Sequence, residues 1–373
     1  MEAIQTTQPI HLIIDTSVLS ANAYYKSQGY KSLKILIDKG LLKIYLPYII
    51  ENEYIEQLKK PYLEQFDSIK DSLETLKNRL LINTEEITNI KESINIAKNN
   101  TIKHIIKDFE TNFCTKLRIK KLDIKPHHAE EVFKKYFKGL PPFKGKKNRK
   151  DIPDAFIFEC IRDIKNKESN TVVLVADNGL YDACDKINIT VFKNIEDFIK
   201  HEKIQDMLTD HINPSIFVDH LKSNKNIENF LTNYHVKELE NVTITSHHIP
   251  SDDNSAQIIG IYTPENIECD FSKLIYYGNK KIGVPVVFNI MVAVDLFIFK
   301  GDYYAEDYGF SCIEDLNDHY FRTESEYLLK VESIVIIDIS QIDFSASDVD
   351  FGEIFDKDDI FSLNDISNIE VIK

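Results

Sequence analysis

The run TVVLVAD, Thr171 to Asp177, constrains the fold more than any other stretch of this 373-residue chain. Its first six residues are uncharged, three of them valine, with no alternation of polar and apolar positions. That is the pattern of a strand buried on both faces, as in a parallel sheet with helices on either side. Other short apolar runs obey the same rule. His11 to Ile14 stops at Asp15, KIYLP covers Lys43 to Pro47, and ITVF follows the segment NGLYDACDKI.

Helical patterns separate these runs. Leu33, Leu36 and Ile37 repeat at helical spacing, YIIENEYIEQLKK opens a helix, and from there to about Lys138 the chain reads as helical. GLPPFKGKKNRK, residues 139–150, is a loop, because two glycines and two prolines interrupt any regular pattern. DIPDAFIFECIRDIK reads as a helix with Ile157, Cys160, Ile161 and Ile164 inward. Strand and helix in alternation predict an α/β domain over residues 1–210, a parallel sheet flanked by helices with a long helical insertion at about 55–138.

Beyond Pro214 the character changes. NIENFLTNYHVKEL predicts one helix, and strand patterns then dominate: VTITSH, AQIIGIY, VPVVFNIMVAVDLFIFK and YLLKVESIVIIDIS. Residues 211–373 are expected to form a separate α+β domain with a mainly antiparallel sheet. Ile282 to Phe299 is the one membrane-like stretch, but Pro285, Asn289 and Asp295 interrupt it, and a buried or bent pair of strands fits better. The tail, 341–373, has nine acids and two lysines, a composition expected to be only partly ordered.

Charge divides the chain at the same place. Residues 211–373 carry 11 basic and 29 acidic groups, whereas the first 210 carry 34 and 31. An acidic second half disfavours nucleic-acid binding and points to a protein partner or oligomer. The five cysteines, Cys114, Cys160, Cys184, Cys269 and Cys312, show no C-x-x-C spacing and read as reduced thiols. The start, MEAIQTTQPIHLIID, lacks a basic region before an apolar run, so a cytoplasmic protein without a membrane role is expected.

Four acids sit where an α/β sheet places its active site, outside the carboxyl ends of strands. Asp15 ends the first strand, Glu53 lies six residues past Pro47, Asp154 is in the first turn of DIPDAFIF, and Asp177 ends TVVLVA. A carboxylate beside the core is costly unless paired or bound to a cation. Converging carboxylates without a basic counterpart suit a hard divalent ion, Mg2+ or Mn2+. Asp151, three residues before Asp154, and Asp182 are further acids, although Asp151 also reads as a helix cap.

HLIIDTSVL, LPYIIENEY, KDIPDAFIF and VVLVADNGL follow one another in this order and together resemble the PIN domain, a metal-dependent nuclease fold. The resemblance covers residues 8–200 and, given the long insertion, is to the larger bacterial PIN-like proteins with extra helices. It implies a carboxylate site of Asp15, Glu53, Asp154 and Asp177, with Glu51 and Glu56 close to the second position. It also implies Mg2+ or Mn2+ as cofactor, phosphodiester hydrolysis, and Thr16 or Ser17 as the hydroxyl after the first Asp. RNA is favoured over DNA because most relatives cut RNA. The alternatives are a weakly active or inactive PIN-like scaffold and a structure-specific DNA nuclease. A haloacid-dehalogenase phosphatase would need an Asp where Ser17 stands.

A substrate needs positive charge beside that acidic hole. Residues 116–150 supply 13 basic groups against three acids, densest in KGKKNRK. Lys146, Lys147, Arg149 and Lys150, together with Thr16 and Ser17, are expected at the substrate phosphate, Arg149 foremost because its planar fork suits phosphate. His127–His128 is expected to begin a helix after Pro126. His247–His248 is expected to point apart in an extended chain, and His11 to be structural.

Overall fold

The computed structural model describes residues 8–21, 25, 27–80, 84–209, 215–305, 313–340, 342, 351–355, 358–364 and 366–372. The chain divides into two compact units, Met1–Leu208 and Thr209–Lys373.

Unit 1 begins with β1 (Ile10–Ile14), α1 (Thr16–Ala21), α2 (Gln28–Asp38) and β2 (Leu42–Pro47). Gly40, at φ +74°, ends α2 and turns the chain back into β2, a conformation that a side chain would strain. The helical pair α3 (Tyr48–Leu80) and α4 (Thr84–Asp108) follows, then a π-helical segment, Phe109–Thr115. Ion pairs Lys98–Asp67 and Lys91–Glu74 tie the two long helices together. Next come β3 (Lys120–Leu122), α5 (Pro126–Lys138), α6 (Ile152–Lys165), β4 (Thr171–Leu174), α7 (Asn178–Asp185), β5 (Thr190–Phe192), α8 (Ile195–Lys200) and α9 (Glu202–Leu208).

The five strands form one sheet in the order β3-β2-β1-β4-β5, every neighbouring pair parallel. β1 and β4 are buried along their whole length, as an uninterrupted apolar run requires. His11 lies within β1 and is structural: its Nδ1 is 3.0 Å from the Tyr45 hydroxyl and its Nε2 is 3.3 Å from Glu168.

The expectation of unbroken helix to about Lys138 is corrected by β3. Arg118 takes a φ of +48°, which stops the helix, and the lysine-rich KKL then pairs with β2 as an exposed edge strand. Lysine on an edge strand discourages further strand addition, and it masks the strand in the hydrophobic pattern.

Unit 2 comprises α10 (Ser215–Asn224), α11 (Asn226–Asn233), β6 (Thr243–Thr245), β7 (Ser255–Ile261), β8 (Glu265–Cys269), β9 (Ile275–Gly278), β10 (Lys281–Phe299), α12 (Lys300–Ala305), β11 (Glu314–Asp315), β12 (Tyr320–Asp338), α13 (Phe351–Phe355), β13 (Phe361–Leu363) and β14 (Asn368–Val371). Its strands form a nine-stranded antiparallel sheet in the order β11-β12-β10-β7-β6, with β13 and β14 on β12 and β8 and β9 on β10.

Two expectations change here. Ile282–Phe299 is one long strand rather than a pair, paired with β12 throughout. Alternate residues such as Val284, Val286, Phe288, Ile290 and Val292 face the core, and Pro285 falls between the stretches paired with β9 and β8. NIENFLTNYHVKEL splits, because α11 ends at Asn233 and a separate 310 turn covers Lys237–Leu239. The acidic tail contributes two strands, and its Phe355, Phe361 and Leu363 belong to the core. Asp295, also buried, is neutralised by Arg322, whose Nε donates at 2.8 Å and 3.1 Å to its two oxygens.

Among the described residues no helix is long and apolar enough to cross a membrane. Cys114, Cys160, Cys184 and Cys269 are free thiols, and Cys312 lies outside the described residues.

Candidate active site

From β1 the chain moves to β2 on one side, and it later returns to place β4 on the other side of β1. Such a switch opens a crevice at the carboxyl ends of the two central strands. Asp15 follows β1 directly and is 7% exposed. Its Oδ2 accepts from the Ser17 backbone N–H at 3.1 Å and from the Ser17 hydroxyl at 2.6 Å. Ser17 Oγ in turn accepts from the backbone N–H of Ala176, at 3.2 Å, just past β4. One serine therefore ties the ends of both strands to the Asp15 carboxylate.

Glu53 is in the second turn of α3, and its Oε2 accepts from the Thr16 hydroxyl at 3.0 Å. Burial raises its carboxyl above the usual range; the Thr16 bond opposes this and the Asp15 charge adds to it. Asp154, in the first turn of α6, is pushed up to about 7, first by burial and then by the negative charges of Asp15, Asp177, Glu53 and Asp151. Burial, and after it the charges of the neighbouring acids, thus favour the protonated form of Asp154.

Asp177 differs from its expected setting. β4 ends at Leu174, so the chain has left the sheet by Asp177, whose side chain is 43% exposed. It caps α7, with Oδ1 accepting from the Gly179 and Leu180 backbone at 2.7 Å and 3.1 Å. Its Oδ2 lies 3.8 Å from Lys144 Nζ, a basic counterpart that the spacing did not suggest. Among the described residues this is the one ion pair that the four acids make.

Other selected residues take different roles. Asp151 Oδ2 accepts from the Lys144 backbone at 2.7 Å and from the Asn148 side chain at 2.8 Å, holding the lysine-rich loop in shape. Asp182 is exposed in the middle of α7. Glu51 pairs with Lys121 of β3 at 2.7 Å and Glu56 with Lys59, so of the three neighbouring glutamates Glu53 faces the crevice. The Thr16 and Ser17 hydroxyls, expected at substrate phosphate, donate to Glu53 and Asp15. Lys146, Lys147, Arg149 and Lys150 are exposed, and none is paired with a carboxylate among the described residues.

Sequence reasoning missed a second polar group, His127, His128 and Asp163, whose ligand-type atoms lie within 4.8 Å of one another. Asp163 stands nine residues beyond Asp154 on α6, about 13 Å along the helix. The Lys125 backbone N–H donates to His128 Nδ1, which leaves the His128 proton on Nε2 to bond Asp163 at 3.3 Å. Burial alone would raise the Asp163 carboxyl, but hydrogen bonds from Lys125, His127 and His128 hold it far below the usual range. With an ammonium already on this carboxylate, the group fastens α5 to α6 rather than awaiting an ion. His247 and His248, expected to point apart, sit in a turn with ring centroids 3.9 Å apart.

Four carboxylates, two of them raised above their usual range, are a donor set that fits a hard divalent cation. Residues 12–181, which contain all four, match the family model of the PIN domain. No curated protein matches the chain. The chain therefore carries a PIN-like domain over this segment, and PIN domains are in general metal-dependent nucleases.

Proposed function

We propose that unit 1 is a metal-dependent endoribonuclease that hydrolyses phosphodiester bonds, with Asp15, Glu53, Asp154 and Asp177 as ligands of Mg2+ or Mn2+. The observation that carries this reading is the gathering of Asp15, Glu53 and Asp177 around the half-buried Asp154, close enough that their charges raise its carboxyl. Such a cluster is unfavourable by itself and becomes favourable around a cation. A divalent ion there would supply Lewis acidity to a phosphate oxygen and an acidified water.

The protein's own part is positioning. Ser17 fixes the Asp15 carboxylate and Thr16 fixes Glu53, so neither acid needs to reorient when substrate arrives. Lys146, Lys147, Arg149 and Lys150 lie on the loop leading into α6 and grip the phosphate backbone without reading bases. Cys160 and Cys184 are buried with thiols raised to about 11 and 12, so neither serves as a nucleophile. Unit 2, with its net negative charge, serves protein contacts or self-association.

Cleavage of labelled RNA and DNA in Mn2+ or Mg2+ tests this reading. Wild type is expected to cut and to prefer RNA, with Asp15→Asn and Asp177→Asn each lowering the rate at least a hundredfold. Cutting that survives both substitutions would sink the assignment. One feature favours a second reading, a binding module with little catalysis: Asp177 already caps α7 and faces Lys144. Metal binding without cleavage of any strand would support that alternative.

A further inference from the structure

Unit 1 has a second concavity that the carboxylate chemistry does not use. Helices α1, α3 and α4 and the π-helical segment enclose a cleft of about 1090 Å3. Ligand sites are commonly ~300–1,000 Å3, so this is a large one. Tyr54 and Phe109 pack beneath it, each 1% exposed with ring centroids 5.7 Å apart, and shape its floor without offering an open face. Tyr62, in the wall, keeps 41% of its surface exposed, and the His104 ring joins it.

Amides complete the lining. Gln57 Oε1 accepts from the Ser20 hydroxyl, so its amide contributes N–H donors, and Asn112 Nδ2 donates to Asp108, so its amide contributes an acceptor oxygen. Asn100 adds a third amide, exposed on α4. The formal charges of the lining, Asp108 and Lys116, cancel. A neutral cleft with aromatic faces and amide edges suits a flat neutral heterocycle with donors and acceptors, and suits neither phosphate nor a metal ion.

The cleft begins one helical turn from the acid cluster. Thr16 and Ser20 are one turn apart on α1, and Glu53 and Gln57 are one turn apart on α3. Thr16 bonds Glu53 and Ser20 bonds Gln57, so the rung that orients a carboxylate adjoins the rung that opens the cleft, about 6 Å along each helix. We propose that this cleft receives unpaired nucleobases of the strand next to the phosphodiester being cut. The inference rests on the nuclease reading above. A duplex cannot fill the cleft, because its base faces are stacked on one another; an unpaired base stacks on aromatic side chains whatever its sequence.

Binding and cleavage test the two readings separately. Fluorescence anisotropy in chelator would compare the full chain, Tyr62→Ala and Asn100→Ala on a labelled 12-nucleotide strand, RNA or DNA. Controls are an abasic strand with the same backbone and a duplex, and circular dichroism would check the fold of each variant. The abasic strand and the duplex are expected to bind wild type about tenfold more weakly than the normal strand. Each variant should weaken binding of the normal strand severalfold and leave the abasic strand unchanged. Equal affinity of wild type for normal and abasic strands, or variants that weaken both equally, would overturn the proposal; an apolar dye bound in the cleft together with base-independent binding would do so as well, by showing another occupant. Base-dependent binding without cleavage in Mn2+ would remove the nuclease reading and leave the cleft assignment standing.

Discussion

Asp154 sets the pH behaviour of the site. Its carboxyl stands at about 7 in the folded chain against 3.8 for an unperturbed Asp, so between these values the folded protein binds more protons than the unfolded one. Stability from this group is therefore full at low pH and lost as pH rises from about 4 through about 7. In chelator the Tm of wild type should fall across that window more steeply than the Tm of Asp154→Asn. Above about pH 7 the empty acid cluster is most strained, and added Mn2+ should raise the wild-type Tm most there and that of the variant least. Parallel Tm curves for the two proteins would refute the crowding of charge around Asp154. Residue-level reading found this acid from its place in the first turn of DIPDAFIF, but the Lys144 contact to Asp177 was hidden: 33 residues separate the two, and only the folded loop brings them together.

At the scale of elements, the loop between α5 and α6 couples charge to the site. Gly139, at φ +68°, ends α5, the Lys147 backbone N–H returns to the Tyr136 carbonyl at 2.9 Å, and Asp151 anchors the loop on the Lys144 backbone. The loop therefore presents its cations from a defined backbone rather than from a loose chain. Replacing Lys146, Lys147 and Arg149 together by Ala should weaken binding of all strand sequences alike and lower the slope of log affinity against log salt by about 2 for a single strand. A sequence-dependent loss, measured by anisotropy over a salt series, would mean that these side chains read bases instead. The strands with apolar periodicity were legible in the sequence, whereas β3 was not, since KKL has no apolar pattern and pairs only because β2 offers an open edge.

For the molecule as a whole, charge and structure divide together. Each unit has its own sheet, and the cluster of Phe217, Phe288, Val331 and Phe361 forms a core wholly within unit 2. A fragment of residues 1–208 should unfold cooperatively by circular dichroism and retain salt-dependent strand binding. A fragment of residues 209–373 should fold but bind no nucleic acid at about 0.15 M salt, since like charges repel. Failure of the first fragment to fold would show that unit 1 depends on residues beyond 208.

Local physics sufficed for much of this architecture. Unbroken apolar runs such as TVVLVA demand burial on both faces, so a parallel sheet follows from composition alone, and an acid just past such a run must lie at the sheet's carboxyl edge. Asp15 and Asp177 were selected this way, and Glu53 and Asp154 from their places in the first turns of helices. Tertiary structure was needed wherever the partner is remote. Ser17 bridging Asp15 to Ala176, Lys144 facing Asp177, Asp163 meeting His127 and His128, and the cleft between α3 and α4 join residues that periodicity cannot relate. The length of β10 was also decided there: its pattern permits a bend at Pro285, and continuous pairing with β12 keeps it one strand.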